Sequence, residues 1–163
     1  MPAEPSLPPN EQAAATAEAK RMLRMLGDRF LTDHAHCARV ASEARAIGEF
    51  AGDTELIALA EYELARCARQ GGDLTRARQH FAEAARLCEA LGDERQLAKS
   101  LHGMGTILSA SGQLIEASTL FARARTMARK ASDAVTLQRI AKGKEEAGSS
   151  GIRRRTMRSF SSF

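Results

Sequence analysis

Apolar residues recur along the chain at helical spacing. Leu97, Leu101, Met104 and Leu108 follow one another at steps of three or four residues, which places them on one stripe of an α-helix. The stripe is interrupted at Gly112, and a second stripe with the same spacing follows it. The second stripe consists of Leu114, Ala117, Leu120, Phe121, Ala124 and Met127. This stretch is therefore predicted to form a helical hairpin.

The preceding stretch carries the same pattern. Its first stripe consists of Leu56, Leu59, Leu64 and Cys67, and its second of Leu74, Ala77, Phe81, Ala84, Leu87 and Leu91. The pair Gly92-Asp93 stands between this hairpin and the next. Glycine suits the left-handed position that ends a helix, and aspartate suits the position that caps the following helix, so the pair predicts a boundary between two helices. Two hairpins in succession are predicted.

The Gly-Asp pair recurs at a fixed step. It stands at residues 52–53 and 92–93, and in weakened form as Ser132-Asp133, which gives a period of 40 residues. Residues 52–91 and 92–131 share nine identical positions, all of them small, turn or core positions, and a fainter copy covers 12–51. A single hairpin cannot bury its apolar stripe alone, so neighbouring units must stack. We expect about three stacked units.

These residues resemble the tetratricopeptide repeat family. Its apolar and small positions in the first helix, and its alanine and aromatic positions in the second, are matched in order and spacing by Leu101, Met104, Gly105, Leu108, Ala117, Phe121 and Ala124. The middle copy matches as well, except that Glu61 stands where the first apolar residue belongs; the first copy has Met25 at the small position and Ala41 at the aromatic one. The 40-residue step is similar to the long-helix variety found in bacterial regulatory proteins and kinesin light chains.

The resemblance implies an all-α, right-handed α-solenoid of about three helix-turn-helix repeats. We expect repeats at about 12–51, 52–91 and 92–131, and a C-terminal capping helix over 133–147, all within a repeat domain of residues 11–147. An alternative is that the last helix begins a fourth repeat of a longer array. Residues 1–10, with four prolines, and the tail 148–163 are expected to be disordered.

The basic charge is concentrated at the C-terminus. The chain carries a net charge of +4, whereas residues 138–163 alone hold seven Lys or Arg against two Glu, a balance of +5. The rest of the chain is therefore slightly acidic, so nucleic acid is not the expected partner of the folded body. An alternative function is nucleic-acid or anionic-surface binding through the basic C-terminal tail, where Arg153–Arg155 stand near Phe160.

The candidate chemistry is sparse. Three cysteines without a CxxC pair indicate reduced thiols that pack in the core, and neither a signal peptide nor an apolar run long enough to span a bilayer is recognisable. A metal ion shared by His34, His36 and Cys37 is geometrically awkward, because helical residues two apart do not face the same way, and we favour a packing role for Cys37. We expect no enzyme, no catalytic residues, no metal and no cofactor, in a cytoplasmic protein.

In the tetratricopeptide repeat family the first helix of each unit lines a concave groove. Carried over to this chain, the groove residues are Arg29, Leu59, Tyr62, Arg66, Arg69, Lys99, His102, Thr106 and Ser109. Arg66, Arg69 and Lys99 would make the groove basic, with Tyr62 as an aromatic contact, which suits a peptide with acidic side chains or a free carboxylate. The alternative is that these are ordinary solvated helix charges.

The expected function is that of a non-catalytic protein–protein interaction scaffold or a sensory, signalling module. It would bind a peptide segment of a partner protein in its groove. An additional expectation is a homodimer formed through an uncovered terminal face, since the weak first copy leaves that end poorly specified.

Overall fold

The computed structural model describes residues 7–26 and 33–142, and this part of the chain is helical without strands. The helices are α1 (Pro9–Met25), α2 (His34–Ala51), α3 (Thr54–Gln70), α4 (Leu74–Leu91), α5 (Glu94–Ala110) and α6 (Leu114–Lys130). Residues 134–142 form a further helix, α7. The expected all-α fold of paired helices is confirmed. The chain divides into two compact units, one ending at Gly92 and one beginning at Asp93.

The Gly-Asp pairs act as the sequence predicts. Gly52 and Gly92 take left-handed φ angles of 67° and 70° at the ends of α2 and α4. Oδ1 of Asp53 then accepts a hydrogen bond from the backbone N–H of Leu56, and Oδ1 of Asp93 accepts one from that of Gln96, each at 2.9 Å. The glycine of each pair thus ends one helix, and the aspartate binds a backbone N–H group that has no partner within the first turn of the next helix.

The N-terminal boundary differs from the expected one. Helix α1 begins at Pro9, inside the range 1–10 that the sequence assigns to disorder. Proline fits the first helical position, because its fixed φ suits the helix and the N–H group that it lacks would have no partner there. The assignment is wrong for residues 9 and 10, and residues 1–6 lie outside the described part.

The first unit is built by α1 to α4 around a core of small aliphatic side chains. Leu56, Ala41 and Cys37 are completely shielded from solvent in this core. Helices α2 and α3 come close at Gly48, where an added Cβ would lie 2.9 Å from Cγ1 of Ile57. The absence of a side chain at Gly48 therefore sets how closely these two helices pack.

In the second unit, α5 and α6 meet at Phe121. This ring is 4% exposed and lies over Gly105, where an added Cβ would be 2.7 Å from the ring atom Cε1. The corresponding residues of the first unit are Phe81, which is 1% exposed, and Ala65, which is fully buried. A buried ring facing a small residue is thus the pattern that both hairpins follow.

Helix α7 begins with the same kind of cap as α3 and α5. Asp133 accepts hydrogen bonds from the backbone N–H (3.1 Å) and the hydroxyl (2.7 Å) of Thr136, and both residues are buried. Ser132 takes the left-handed position, with φ of 52°, that glycine occupies before α3 and α5. The weakened Ser-Asp pair therefore still works as a helix boundary.

Lys20 links α1 to the start of α3. Its ammonium lies 2.8 Å from Oδ2 of Asp53 and 2.7 Å from Oε2 of Glu55. Burial alone would raise the pKa of Asp53, but the hydrogen bonds from Lys20 and from the Leu56 N–H group hold that pKa below its ordinary value. Asp53 therefore both caps α3 and helps to attach α1.

Gly105→Ala is expected to destabilise the protein by about 1–3 kcal/mol, because the new methyl group would push on the buried Phe121 ring. This cost exceeds the gain of up to about 1 kcal/mol from replacing glycine by alanine inside a helix. Urea unfolding followed by circular dichroism measures the difference.

The control is Gly71→Ala, where the added Cβ meets only ordinary contacts at 3.5 Å and φ is −73°. This variant should be neutral or up to about 1 kcal/mol more stable. Equal stabilities of the two variants would contradict the packing described at Gly105.

Asp53→Asn should retain the cap but lose the ion pair with Lys20, and should destabilise the protein at neutral pH by about 1–2 kcal/mol. Asp93→Asn is the matched control: it keeps a cap of the same geometry, and no ion pair of Asp93 is found in the described residues.

The difference between wild type and Asp53→Asn depends on pH with a defined sign. A carboxyl whose pKa is lowered by folding contributes its full stability above its unfolded pKa of about 3.9, and loses it as pH falls through the folded pKa. The difference in unfolding free energy should therefore be constant from pH 7 to about pH 5 and shrink below about pH 4. A difference that persists unchanged into acid would contradict the ion pair.

Candidate functional site

The residues predicted for the groove on α3 lie on one side of that helix. Leu59, Tyr62, Arg66 and Arg69, which we call the α3 face, are all partly buried. Their spacing of three or four residues brings them into one row. Leu59 packs against the hydrophobic core of the first unit and so connects this row of side chains to the core.

The α3 face is held together by aromatic rings. The Tyr62 ring meets Phe81 of α4 edge-on, with centroids 5.7 Å apart. The guanidinium carbon of Arg66 lies 5.9 Å from the Tyr62 ring centre, and that of Arg69 lies 6.0 Å from the Phe81 ring centre. Both distances fall within the range of cation–π attraction. Arg66 also forms an ion pair with Glu63 at 3.0 Å.

The ring contacts place two guanidinium groups beside aromatic rings, and Nη1 of Arg66 also donates to Glu63. A ring face attracts the flat face of a guanidinium, whereas carboxylates bind at its N–H edge, so the two contacts do not compete for the same atoms. The α3 face can therefore hold arginine side chains in place at a low entropy cost for a ligand that arrives later.

The second unit carries a comparable surface on α5. Lys99, His102, Thr106 and Ser109, which we call the α5 face, are all partly buried. His102 corresponds to Tyr62, and its ring lies 5.7 Å from that of Phe121, the same separation as in the first unit. The Thr106 hydroxyl donates to the His102 carbonyl oxygen at 2.9 Å.

Lys99 has a structural role as well. Burial alone would raise the pKa of Asp133, but the hydrogen bonds from Thr136 and the positive charges of Lys99 and Arg95 lower that pKa below its usual value. The Lys99 charge therefore supports the cap of α7 in addition to any contact with a ligand.

Two parts of the sequence-based prediction lie outside the described residues. Arg29 falls in the stretch 27–32, and the basic tail 148–163 falls in the stretch after residue 142. The α3 and α5 faces belong to different units, and each is a candidate surface on its own.

Sequence reasoning missed a polar network in the first unit. Glu61 of α3 is 5% exposed, and its Oε2 lies 2.6 Å from Nδ1 of His80 on α4. Its Oε1 accepts from Nη1 of Arg45 on α2 at 3.3 Å, and Arg45 also forms an ion pair with Glu49. The only sequence signal was Glu61 itself, a charged residue at a position where the repeat pattern has an apolar one.

This network lies beside a groove between α2 and α4, whose floor is α3. The α2–α4 groove has a volume of about 480 Å³ and contains none of the predicted groove residues. It is lined by His34, Ala35, Ala38, Ser42, Arg45, Ala46, Glu49, Leu64, Cys67, Ala68, Gly71, Asp73, Arg76 and His80. Its size and its mixture of apolar floor and few polar groups are typical of ligand sites.

The described residues offer little for covalent or metal chemistry. Cys67 lines the α2–α4 groove, but burial, followed by the nearby Cys37, raises the pKa of its thiol to about 12, so it is not a thiolate near neutral pH. No group of three or more metal-ligating side chains occurs in the ranges 7–26 and 33–142. Within the same ranges, none of the helices has the length and apolar character needed to cross a membrane.

Comparison with known proteins finds one family model that matches part of the chain. Residues 56–130, from α3 to α6, match the family model of the tetratricopeptide repeat. No curated protein and no solved structure matches the chain. The 40-residue period stays a prediction from the sequence, whereas the helix pairs and the small and aromatic positions agree with the family. Tetratricopeptide repeats generally mediate protein–protein interactions. Residues 56–130 are accordingly similar to tetratricopeptide repeats.

Proposed function

We propose that this protein is a non-catalytic interaction scaffold that binds an acidic peptide segment of a partner protein on its α3 face. The observation that carries the proposal is the pair of guanidinium groups mounted on aromatic rings, Arg66 over Tyr62 and Arg69 over Phe81. The family match supports a protein-binding role in general.

An acidic segment is the ligand that suits this surface best. Arginine binds carboxylates through two parallel N–H···O bonds, which gives both strength and a defined geometry. Tyr62 adds an amphipathic ring of the kind that is enriched at protein interfaces. Because the Arg66 and Arg69 side chains are already placed by ring contacts, a ligand orders less of the protein when it binds.

The α5 face is proposed as a second contact surface of a more polar kind. Lys99 can attract a carboxylate, and His102, Thr106 and Ser109 supply hydrogen-bonding groups. Recognition there would depend on single hydrogen bonds, so we expect the α3 face to contribute more affinity. A regulatory role in the bacterial cytoplasm, without turnover of a substrate, is the setting that the sequence resemblance favours.

Reversing two charges tests the α3 face. The double variant Arg66→Glu/Arg69→Glu should capture the partner protein at least about tenfold less, because each lost charge-assisted hydrogen bond is worth about 1.5–3 kcal/mol and 1.4 kcal/mol is a factor of ten. The measurement is quantitative pull-down from native lysate, with circular dichroism to show that the helices remain intact.

The matched control is Arg78→Glu/Arg129→Glu. It makes the same change in net charge at two exposed arginines on α4 and α6. The control should capture the same proteins as wild type. If the α3-face variant also retained the full set of partners while folded, the proposed binding surface would be wrong.

A further inference from the structure

Charge is distributed unevenly between the two units of the fold. In the described part of the first unit, ten Lys or Arg stand against twelve Asp or Glu, whereas residues 93–142 hold eight against four. The small net charge of the folded body as a whole therefore conceals a basic second unit. Because the field of a surface attracts partners of the opposite sign, the second unit favours an anionic partner of its own.

The positive charge of the second unit is concentrated on α6 and α7. Six Lys or Arg stand between residues 117 and 142, and the only carboxylate in this stretch is that of Asp133. Asp133 is buried and accepts two hydrogen bonds from Thr136. The exposed positions of this stretch thus carry cations and no carboxylate.

Four of these cations lie on α6, and we call them the α6 basic face: Arg123, Arg125, Arg129 and Lys130. Arg125 is half-buried, and the other three are exposed. Arg123 and Lys130 are seven residues apart, which is close to two helical turns, so they lie on one side of α6 and about 10 Å apart along its axis. Within the described residues, no ion pair of Arg125, Arg129 or Lys130 is found.

The corresponding helix of the first unit, α4, has a balanced surface. At the step of 40 residues, Glu83 of α4 corresponds to Arg123 and Glu89 to Arg129. Glu83 forms an ion pair with Arg86 of the same helix at 2.6 Å. The same exposed positions of the hairpin therefore carry an acid in one unit and a base in the other, so the fold does not require the arginines.

Helix stability does not account for the α6 basic face either. Positive side chains are favourable in the last turn of a helix, which explains Arg129 and Lys130. Arg123 and Arg125 lie before that turn. Like charges one turn apart, as at Arg125 and Arg129, are unfavourable for a helix. A bound anion would relieve this repulsion.

Arg95 of α5 extends the face beyond the end of α6. This exposed arginine donates through Nη2 to the carbonyl oxygen of Ala131 at 3.4 Å. Ala131 directly follows Lys130, so the Arg95 guanidinium adds a fifth cation at the C-terminal end of the face.

The composition of the α6 basic face indicates the class of its ligand. The exposed residues among the cations are Ala122 and Thr126, so the exposed part of the face has neither an aromatic ring nor a large apolar side chain. Protein interfaces have an aromatic centre that is poor in charge, and helices that lie on membranes insert an apolar side. Interfaces with nucleic acid are much more positive, and Arg and Lys contact the phosphates.

A duplex suits this face better than a single strand. Proteins hold single strands by stacking the bases on aromatic rings, and the face offers none. A duplex instead presents one negative charge per about 1.7 Å of its axis, so the distance of about 10 Å from Arg123 to Lys130 corresponds to about six phosphates.

We propose that the α6 basic face is a binding site for the phosphate backbone of a nucleic-acid duplex and that it binds without regard to base sequence. This site lies in the second unit and shares no residue with the α3 face of the first, so either proposal can fail without the other.

The test measures binding of the full chain to fluorescein-labelled duplexes of about 20 base pairs by anisotropy. DNA and RNA duplexes of one sequence distinguish the two sources of the backbone. The logarithm of the binding constant falls with that of the salt concentration, with a slope of about −0.9 per phosphate contact in B-DNA. Four contacts predict a slope of about −3.6 or steeper, and thus at least about 100-fold weaker binding at 200 mM than at 50 mM salt. A duplex of shuffled sequence should bind equally well.

The decisive variant is Arg123→Glu/Arg129→Glu, which copies the two glutamates of α4 and should therefore fold. At 50 mM salt its affinity for the DNA duplex should be at least about tenfold lower, because two phosphate contacts are replaced by repulsion between like charges. The matched control is Arg39→Glu/Arg78→Glu, which makes the same change in net charge at two exposed arginines of the first unit. The control should bind within about twofold of wild type.

A second variant keeps the test decisive should the charge reversal not fold. Arg129→Gln/Lys130→Gln removes two cations and adds no negative charge. Its salt slope should be shallower than that of wild type by about 1.8, which is two contacts at about 0.9 each. A mere change in stability would not alter this slope.

The proposal is overturned if wild type binds neither duplex at 50 mM salt, or if the folded Arg123→Glu/Arg129→Glu variant binds like its control. It is also overturned if a peptide of about 20 Glu, or vesicles containing phosphatidylserine, compete as strongly as unlabelled duplex at equal charge. The occupant would then be an acidic protein or a membrane. Arg129 also belongs to the control variant of the α3 face, so those pull-downs are made from nuclease-treated lysate, in which nucleic acid cannot link this protein to others.

Discussion

The architecture depends on how closely the two helices of a hairpin can approach. In α5 and α6 this distance is set by Phe121, whose ring lies where the side chain of residue 105 would otherwise be. The same ring lies 5.7 Å from that of His102 on the α5 face. The same steric relation, with Phe81 and Ala65, positions Tyr62 and the arginines of α3. The candidate binding surfaces are thus a consequence of core packing.

Local features of this fold could be predicted from the sequence. A helix boundary needs a residue that accepts a left-handed φ and one that accepts a backbone N–H group, and both stand next to each other at Gly52-Asp53 and Gly92-Asp93. The stripes of small and aromatic residues likewise depend on spacing within one helix. The N-terminal boundary was missed because prolines favour both irregular chain and the first turn of a helix, and only the fold decides between them.

The polar network was out of reach of the same reasoning. Arg45 and His80 lie 16 and 19 residues from Glu61, on two other helices. No spacing rule within one helix connects them, and each is an ordinary charged or polar residue by itself. Only the burial of Glu61 between them, which is a property of the assembled unit, shows that they act together. The ring contacts of Arg66 and Arg69 were hidden for the same reason, since the sequence indicated their side of α3 but not the rings beneath them.

The two hairpins of this chain are therefore similar in backbone and different in what they contribute. In the hairpin of α5 and α6 the places of Glu61 and His80 are taken by Leu101 and Leu120, whereas the hairpin of α3 and α4 keeps ionisable groups there. Identical modules could be exchanged or duplicated along an array without changing its behaviour. Here, the order of the modules matters, because moving or deleting the hairpin that contains Glu61 would remove a chemical property that no neighbouring copy in the described chain can supply.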